Sequence, residues 1–345
     1  MFDKGLILGP GPAPRCDDFR LGGPVVRWDD NVSRWRMRYY CRATGFADDA
    51  APAFGTGSVA TALSEDGLRW QRQDHHLEGG AVLTPSADPD AFDSTHVAVS
   101  DVIRHDGRWL MAYFGGSRQI PENTKELYAK PGYRMRLGIA ESPDGIHWSR
   151  IAGNAPGGAV LDVAAGDVYV AFPGLVATDD GFLMHYTTVD NQGRFHRTHV
   201  VRSNDLQHWS ETPGFDFDAD PPLHESAGIV TRDIVENPTD APERWLMVYT
   251  ARDGRSETAE RRSICAAVSD DLVAWRRLPQ NPCFTVGPQG AWDSGGVANP
   301  RLVATADALH LYYFGWSNPS YADHPGRGIG CAVGGAGRLD NFKRI

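Results

Sequence analysis

The feature that most constrains this chain is a nine-residue motif that returns along its length. Its clearest copy is Ala140-Glu-Ser-Pro-Asp-Gly-Ile-His-Trp148: a short strand, a tight turn at Asp144-Gly145 and an aromatic that closes it. Related copies are Ala62-Leu-Ser-Glu-Asp-Gly-Leu-Arg-Trp70, Val201-Arg-Ser-Asn-Asp-Leu-Gln-His-Trp209 and Ala267-Val-Ser-Asp-Asp-Leu-Val-Ala-Trp275, with a degenerate fifth at Ala332-Val-Gly-Gly-Ala-Gly-Arg-Leu-Asp-Asn-Phe342. The closing aromatics are spaced 78, 61, 66 and 67 residues apart. A recurrence of this size signals a repeat architecture, in which each unit buries its apolar face against its neighbours.

A second strand with alternating apolar and polar residues precedes each copy: Trp35-Arg-Met-Arg-Tyr39, Trp109-Leu-Met-Ala-Tyr113, Phe182-Leu-Met-His-Tyr186, Trp245-Leu-Met-Val-Tyr249 and Leu309-His-Leu-Tyr-Tyr313. Period two with aromatics is a strand signal. Before each lies a more apolar strand, at Gly23 to Val26, Ser100 to Ile103, Pro173 to Val176, Ala227 to Val230 and Pro300 to Val303. Turns such as Arg104-His-Asp-Gly107 join the two into hairpins. Four antiparallel strands repeated five times predict an all-β, five-bladed β-propeller in one domain over 1–345, with blades at approximately 17–75, 92–150, 167–212, 222–278 and 293–345. The repeated Ser, Asp, Gly and Trp then read as turn and packing residues. So do the matching Ala91-Phe-Asp-Ser94 and Ala291-Trp-Asp-Ser294.

Composition narrows the function. A formal net charge of −10 argues against nucleic-acid and membrane-surface binding, because both polyanions would be repelled. No run of about 18 apolar residues is present, and the first residues form no secretory leader, so a cytoplasmic address is expected. Five cysteines without a C-x-x-C spacing predict buried thiols rather than disulfides or a zinc knuckle. There is no Walker loop, dinucleotide fingerprint, Gly-x-Ser-x-Gly or His-Glu-x-x-His.

The connections are unequal. The loops between second and third strands are long, near Arg42 to Gly57, Gly115 to Tyr133, Thr187 to Arg197, Ala251 to Arg262 and Gly315 to Gly328. In a propeller they surround the mouth of the axis, on the face where the innermost strands begin. Long loops on a rigid scaffold are where function concentrates. These carry Arg118, Lys125, Lys130, Arg134, Arg194, Arg197, Arg252, Arg255, Arg261, Arg262 and Arg327, which suits an anionic small-molecule ligand. Solvated charges balanced by Glu122, Glu126, Glu257 and Glu260 are the plainer reading.

By its Ser-x-Asp-Gly-x-x-Trp turns and Trp-x-Met-x-Tyr strands, the chain resembles the five-bladed propeller glycosidases, namely the arabinanase and β-xylosidase families and the invertase and levansucrase families. That resemblance implies carboxyl groups at the inner ends of the first strands, one protonating the leaving oxygen and another attacking the sugar or activating water. Glu225-Ser-Ala-Gly-Ile229, with His224 beside it, looks like the family's Glu element and makes Glu225 the expected general acid. The family's Asp slots here hold Gly22, Val99, Phe172 and Asn299, so the expected base or charge stabiliser is Asp18 or Asp101, with Asp17 nearby. His96 and His224 are candidates for acid and base work. Tyr169, Asn299, Arg301, Arg118, Arg252 and Arg134 are the expected substrate-binding residues.

The expected activity is cleavage or transfer at a glycosidic bond of a small, anionic, sugar-containing substrate held in an axial pocket. No cofactor is required, and the spacing leaves a divalent cation at the axis open. Two alternatives keep the fold: a lyase, dehydratase or cyclase of a small metabolite, and a non-catalytic carbohydrate-binding propeller.

Overall fold

The computed structural model describes residues 4–46, 55–193, 195–212, 215, 217, 219–254, 261–317 and 327–345. Its strands are β1 (Leu6–Leu8), β2 (Arg20–Asp29), β3 (Arg34–Arg42), β4 (Ser58–Ser64), β5 (Gln71–Arg72), β6 (His96–His105), β7 (Arg108–Gly116), β8 (Met135–Ser142), β9 (Ser149–Ile151), β10 (Asp167–Thr178) and β11 (Gly181–Asp190). They continue with β12 (His196–Ser203), β13 (Ser210–Glu211), β14 (Ile229–Glu236), β15 (Trp245–Asp253), β16 (Arg261–Ser269), β17 (Arg276–Arg277), β18 (Gly296–Ala304), β19 (Ala308–Trp316), β20 (Arg327–Gly335) and β21 (Lys343–Arg344). Five antiparallel meanders result, β2–β5, β6–β9, β10–β13, β14–β17 and β18–β21, here called blades 1 to 5. The innermost strands β2, β6, β10, β14 and β18 each pack on the next and close a ring. The chain is a five-bladed β-propeller of four antiparallel strands per blade. Among the described residues no helix is long and apolar enough to cross a membrane.

The recurring motif is a hydrogen-bonded turn between third and fourth strands. In blade 1 Ser64 Oγ accepts the Gly67 N–H at 2.9 Å, while Asp66 Oδ1 accepts the N–H groups of Leu68 and Arg69 at 2.8 Å each. Ser142 and Asp144, Ser203 and Asp205, and Ser269 and Asp271 repeat this. The residue after each Asp has positive φ, which glycine adopts freely at Gly67 and Gly145; Leu206 and Leu272 adopt it as well, at φ 67° and 66°. The serine and aspartate bonds hold the turn even where a side chain is strained.

Apolar residues fill the seams between blades. Val25 and Val59 of blade 1 meet Val97, Val99, Met111 and Tyr113 of blade 2, and Leu21, Met37 and Tyr39 meet Tyr312, Ile329 and Cys331 of blade 5. Cys16, Cys41, Cys265 and Cys331 are buried, Cys283 is partly so, and all five are free thiols.

The innermost strands share one irregularity that the sequence does not announce. Each carries an extra residue against its partner, between Gly22 and Val25, Val99 and Asp101, Ala171 and Gly174, Ile229 and Arg232, and Ala298 and Arg301. Such a bulge re-aims every side chain beyond it. Strict alternation therefore misplaces the residues around the axis, Asp101 among them.

Candidate functional site

Around the axis the bulges bring Gly23, Val99, Ser100, Thr231 and Asn299 together, leaving a void of about 10 Å³. That is room for a water molecule, not a sugar. The axis is also occupied by an ion cluster. Arg27 of blade 1 extends to Asp101 Oδ1 of blade 2 at 3.0 Å and to Asp233 Oδ1 of blade 4 at 3.5 Å. Arg301 of blade 5 donates to Asp233 Oδ1 at 2.9 Å and to the Pro24 carbonyl at 3.2 Å. The remaining oxygens of Asp101 and Asp233 accept the Leu175 and Leu302 N–H groups of the following blades, at 3.0 and 2.9 Å. Asp101, expected as a base, and Arg301, expected to bind substrate, are thus buried fasteners between blades. The Asn299 N–H is held by Thr231 Oγ1 and Thr250 Oγ1 at 3.2 and 3.0 Å, and its side chain borders the small void.

Glu225 occupies a place that recurs around the ring. It is fully buried; Tyr249 Oη donates to Oε1 at 2.5 Å and Arg277 Nε to Oε2 at 2.8 Å. In blade 1, Tyr39 and Arg72 bond Asp17 at 2.8 and 2.6 Å. Tyr113 and Arg150 bond Asp93 at 3.1 and 2.7 Å, and Tyr313 and Arg344 bond Asp293 at 2.9 and 2.7 Å. A tyrosine from the second strand and an arginine from the fourth therefore clamp an acid ahead of the first strand in four blades. Blade 3 departs from this: Glu211 stands where the arginines stand, opposite Val201. The geometry argues against Glu225 as a donor to substrate, because it is buried and its carboxylate is held by Tyr249 and Arg277 of its own blade. Its Gly-containing surroundings imitate the family's Glu element, but three other blades use the same place for scaffolding. His224 lies beside it, Nε2 to Glu225 Oε1 at 3.5 Å.

His96 and His224, the two candidates for acid and base work, belong to separate clusters. His96 is buried with Nε2 2.9 Å from the Gly132 carbonyl oxygen; burial pulls its pKa down to about 4, with Arg42 adding to the effect. Arg42 in turn is lowered to about 10, first by burial and then by Arg20 and Arg327. Arg20 and Arg42 face each other on the first rung of blade 1. Of this basic cluster only Arg327 was expected from the sequence; all three arginines stand at strand ends, at the start of β2, the end of β3 and the start of β20. Tyr169 Oη lies 3.4 Å from His196 Nε2, and burial together with Arg252 and Arg262 holds that imidazole well below its ordinary pKa. Arg252 also donates to the Gly193 carbonyl at 3.4 Å. Arg134 is half-buried, 3.9 Å from Asp162. Arg194, Arg255, Glu257 and Glu260 lie outside the described residues, as does the side chain of Arg261.

Two expected residues do share a cavity. Asp18 and Arg118 line a space of about 470 Å³ between blades 1 and 2 on the long-loop face, together with Phe46, Ser58, Glu78, Ser94 and Thr95. Asp18 Oδ1 accepts the Thr44 N–H at 2.6 Å and its hydroxyl at 3.0 Å, which fixes the carboxylate and leaves its second oxygen to the cavity. Thr95 is buried, and its hydroxyl, like that of Ser94, has no hydrogen-bond partner. Glu78 was missed by the sequence reading. It lies in a Glu-Gly-Gly turn after the fourth strand of blade 1, where no motif marks it.

No sequence family and no curated protein matches the chain. Solved structures match it throughout. A glycoside hydrolase of family 130, described within a family of mannoside phosphorylases as targeting β-1,2 mannosidic linkages in Candida mannan, superposes with a TM-score of 0.65 at 16% identity, covering 98% of this chain and 96% of that one. A thermostable family-43 glycoside hydrolase gives 0.63 at 13% identity, over 93% and 91%. The family-32 β-fructofuranosidase of Bombyx mori gives 0.60 at 12% identity, covering 97% of this chain but 62% of that longer one. At such identities the likeness establishes a shared fold: the structural neighbours are five-bladed propeller glycoside hydrolases.

Proposed function

We propose that this protein is a glycosidase-like enzyme that binds a small, anionic, sugar-containing substrate on its long-loop face, in the cavity between blades 1 and 2. The observation that carries this reading is the cavity's lining. Two carboxylates, Asp18 and Glu78, one guanidinium, Arg118, an aromatic ring, Phe46, and unpaired hydroxyls surround a volume in the range of small-ligand sites. Carboxyl pairs supply the acid and the base or nucleophile of glycoside cleavage. In this reading Asp18, held by Thr44, is the base or nucleophile, Glu78 is the acid, and Arg118 receives the anionic substituent. The fold shared with glycoside hydrolases is consistent with it. Glu225 is assigned to the scaffold.

The test is turnover of aryl glycosides, uronides and glycosyl phosphates, read as release of reducing sugar, by the wild type and by Asp18→Asn and Glu78→Gln. Loss of an acid or base lowers kcat by about 10²-fold or more. Full activity in both variants would sink the assignment.

A second reading is favoured by the Tyr169 and His196 pair beside Arg252 and Arg262. A phenol and a neutral imidazole next to cations suit proton transfer on a carboxylate-bearing metabolite without hydrolysis. Under it His196→Gln, and neither cavity variant, abolishes turnover.

A further inference from the structure

The acid clamp of blade 4 differs from the others in what stands next to it. In blade 2 the residue before the acid is Phe92, which lies against Tyr113 with ring centroids 5.7 Å apart. Across from Tyr113 on the third strand is Gly138, and a Cβ there would come within 2.6 Å of Phe92 and 2.4 Å of Tyr113. Blade 5 repeats the arrangement with Trp292, stacked on Tyr313 at 5.6 Å, and Gly330, whose Cβ would come within 2.7 Å of Trp292. An aromatic and a glycine are therefore a coupled packing pair. Blade 1 has Cys16 and Ala60 in these places.

Blade 4 has His224 before the acid and Cys265 across from Tyr249. The packing role has passed to Phe217, whose ring stands 5.6 Å from Tyr249. His224 and Cys265 are thus released from it. The ligand atoms of His224, Glu225 and Cys265 all lie within 4.8 Å of one another. His224 Nε2 is buried and makes no hydrogen bond, although the imidazole as a whole is 29% exposed. Blade 4 is also the blade whose clamp uses Glu rather than Asp.

We propose that His224, Glu225 and Cys265 form a binding site for a borderline divalent cation of the zinc type, away from the propeller axis. One imidazole nitrogen, one thiolate and one carboxylate select such an ion over magnesium or calcium, which prefer all-oxygen sites. The Glu225 carboxylate has lone pairs beyond those used by Tyr249 and Arg277, so it ligates without releasing either. On binding, the Cys265 thiol gives up its proton to solvent and His224 ligates as neutral imidazole. The exposed edge of His224 is the path for the ion, and a water completes the coordination. Cys283, whose thiol donates to the Ile264 carbonyl at 3.3 Å, is outside the site.

The experiment uses the full, untagged chain, stripped with a chelator, dialysed and titrated with Co²⁺ and then Zn²⁺. The expected result is one equivalent of Co²⁺ bound with a thiolate-to-cobalt charge-transfer band in the near ultraviolet, displaced by one equivalent of Zn²⁺. Cys265→Ala, which copies Ala60, removes the band. His224→Gln, which removes the imidazole without adding a ring opposite Cys265, weakens binding by more than about 10-fold, the lower end of what loss of a supporting partner alone costs. Cys283→Ala leaves the band in place. Circular dichroism confirms that each variant is folded, and if Cys265→Ala does not fold, His224→Gln decides. Absence of stoichiometric binding by the folded wild type, persistence of the band in folded Cys265→Ala, or undiminished affinity in His224→Gln overturns the site.

Discussion

A buried carboxylate that holds a tyrosine and an arginine serves the fold through the loss its removal causes. Glu225→Ala leaves the Tyr249 hydroxyl and the Arg277 guanidinium without their acceptor inside the seam of blade 4. Breaking a buried ion pair by deleting one partner costs about 3–5 kcal/mol. We expect Glu225→Ala to lower the urea midpoint by an amount comparable to Asp93→Ala, its counterpart in blade 2. Equilibrium unfolding of both variants checks this; a Glu225→Ala midpoint equal to wild type would return Glu225 to the list of free acids. Glu225 illustrates why residue roles were only partly legible. Its local sequence matches a catalytic element, and only the repetition of its contacts at Asp17, Asp93 and Asp293 identifies it as a clamp. Those contacts join segments 24 to 52 residues apart for Glu225, so no local pattern contains them.

At the scale of the element, the four Ser-x-Asp turns contribute a pH dependence. The carboxyls of Asp66, Asp205 and Asp271 are held below the ordinary range, chiefly by the backbone N–H of Arg69, His208 and Ala274 respectively. At Asp144 burial acts upward first, but the His147 and Ile146 N–H groups, the His147 side chain and Ser142 outweigh it and the net shift is downward. A folded pKa below the unfolded value, about 3.9 for Asp, means that the stabilisation is complete above that value and disappears as pH falls through the folded one. Wild-type stability should therefore fall steeply below about pH 4. Replacing all four with Asn keeps an acceptor and removes the titration. The fourfold variant should show a flatter melting temperature between acid and neutral pH, measured by scanning calorimetry, and an unchanged slope would refute the assignment. The turns were legible because every group in them lies within a few residues. The bulges of the innermost strands were not, since each depends on the blade's neighbours and on the crowded axis.

For the whole molecule, closing the ring depends on a strand far away in sequence. β1 pairs with β20 at Gly330 and Ile329, while β21 pairs farther along the same strand at Ala332 and Val333. In blades 1, 2 and 4 the position of β1 is taken by segments that follow the fourth strand, at Leu83, Leu161 and Phe284. Deleting residues 1–9 should destabilise the propeller by at least the burial of the Leu8 side chain, about 1.5–3 kcal/mol. Urea denaturation of the truncated chain measures it, and an unchanged midpoint would show that the ring closes without β1. The sequence by itself determined the blade count, the order of strands within each blade, the turns and the elaborated face. The first three follow from local chemistry that recurs along the chain, and the last from the unequal lengths of the loops between the recurrences. The tertiary structure alone decided which polar side chains meet. It turned Asp101 and Arg301 into an axial fastener with Arg27 and Asp233, drew Glu225 into a clamp, and moved the cavity from the axis to the seam holding Asp18, Glu78 and Arg118. The physical reason is that one extra residue in an inner strand reverses where side chains point, while ion pairing across four blades depends on distances that no linear spacing encodes.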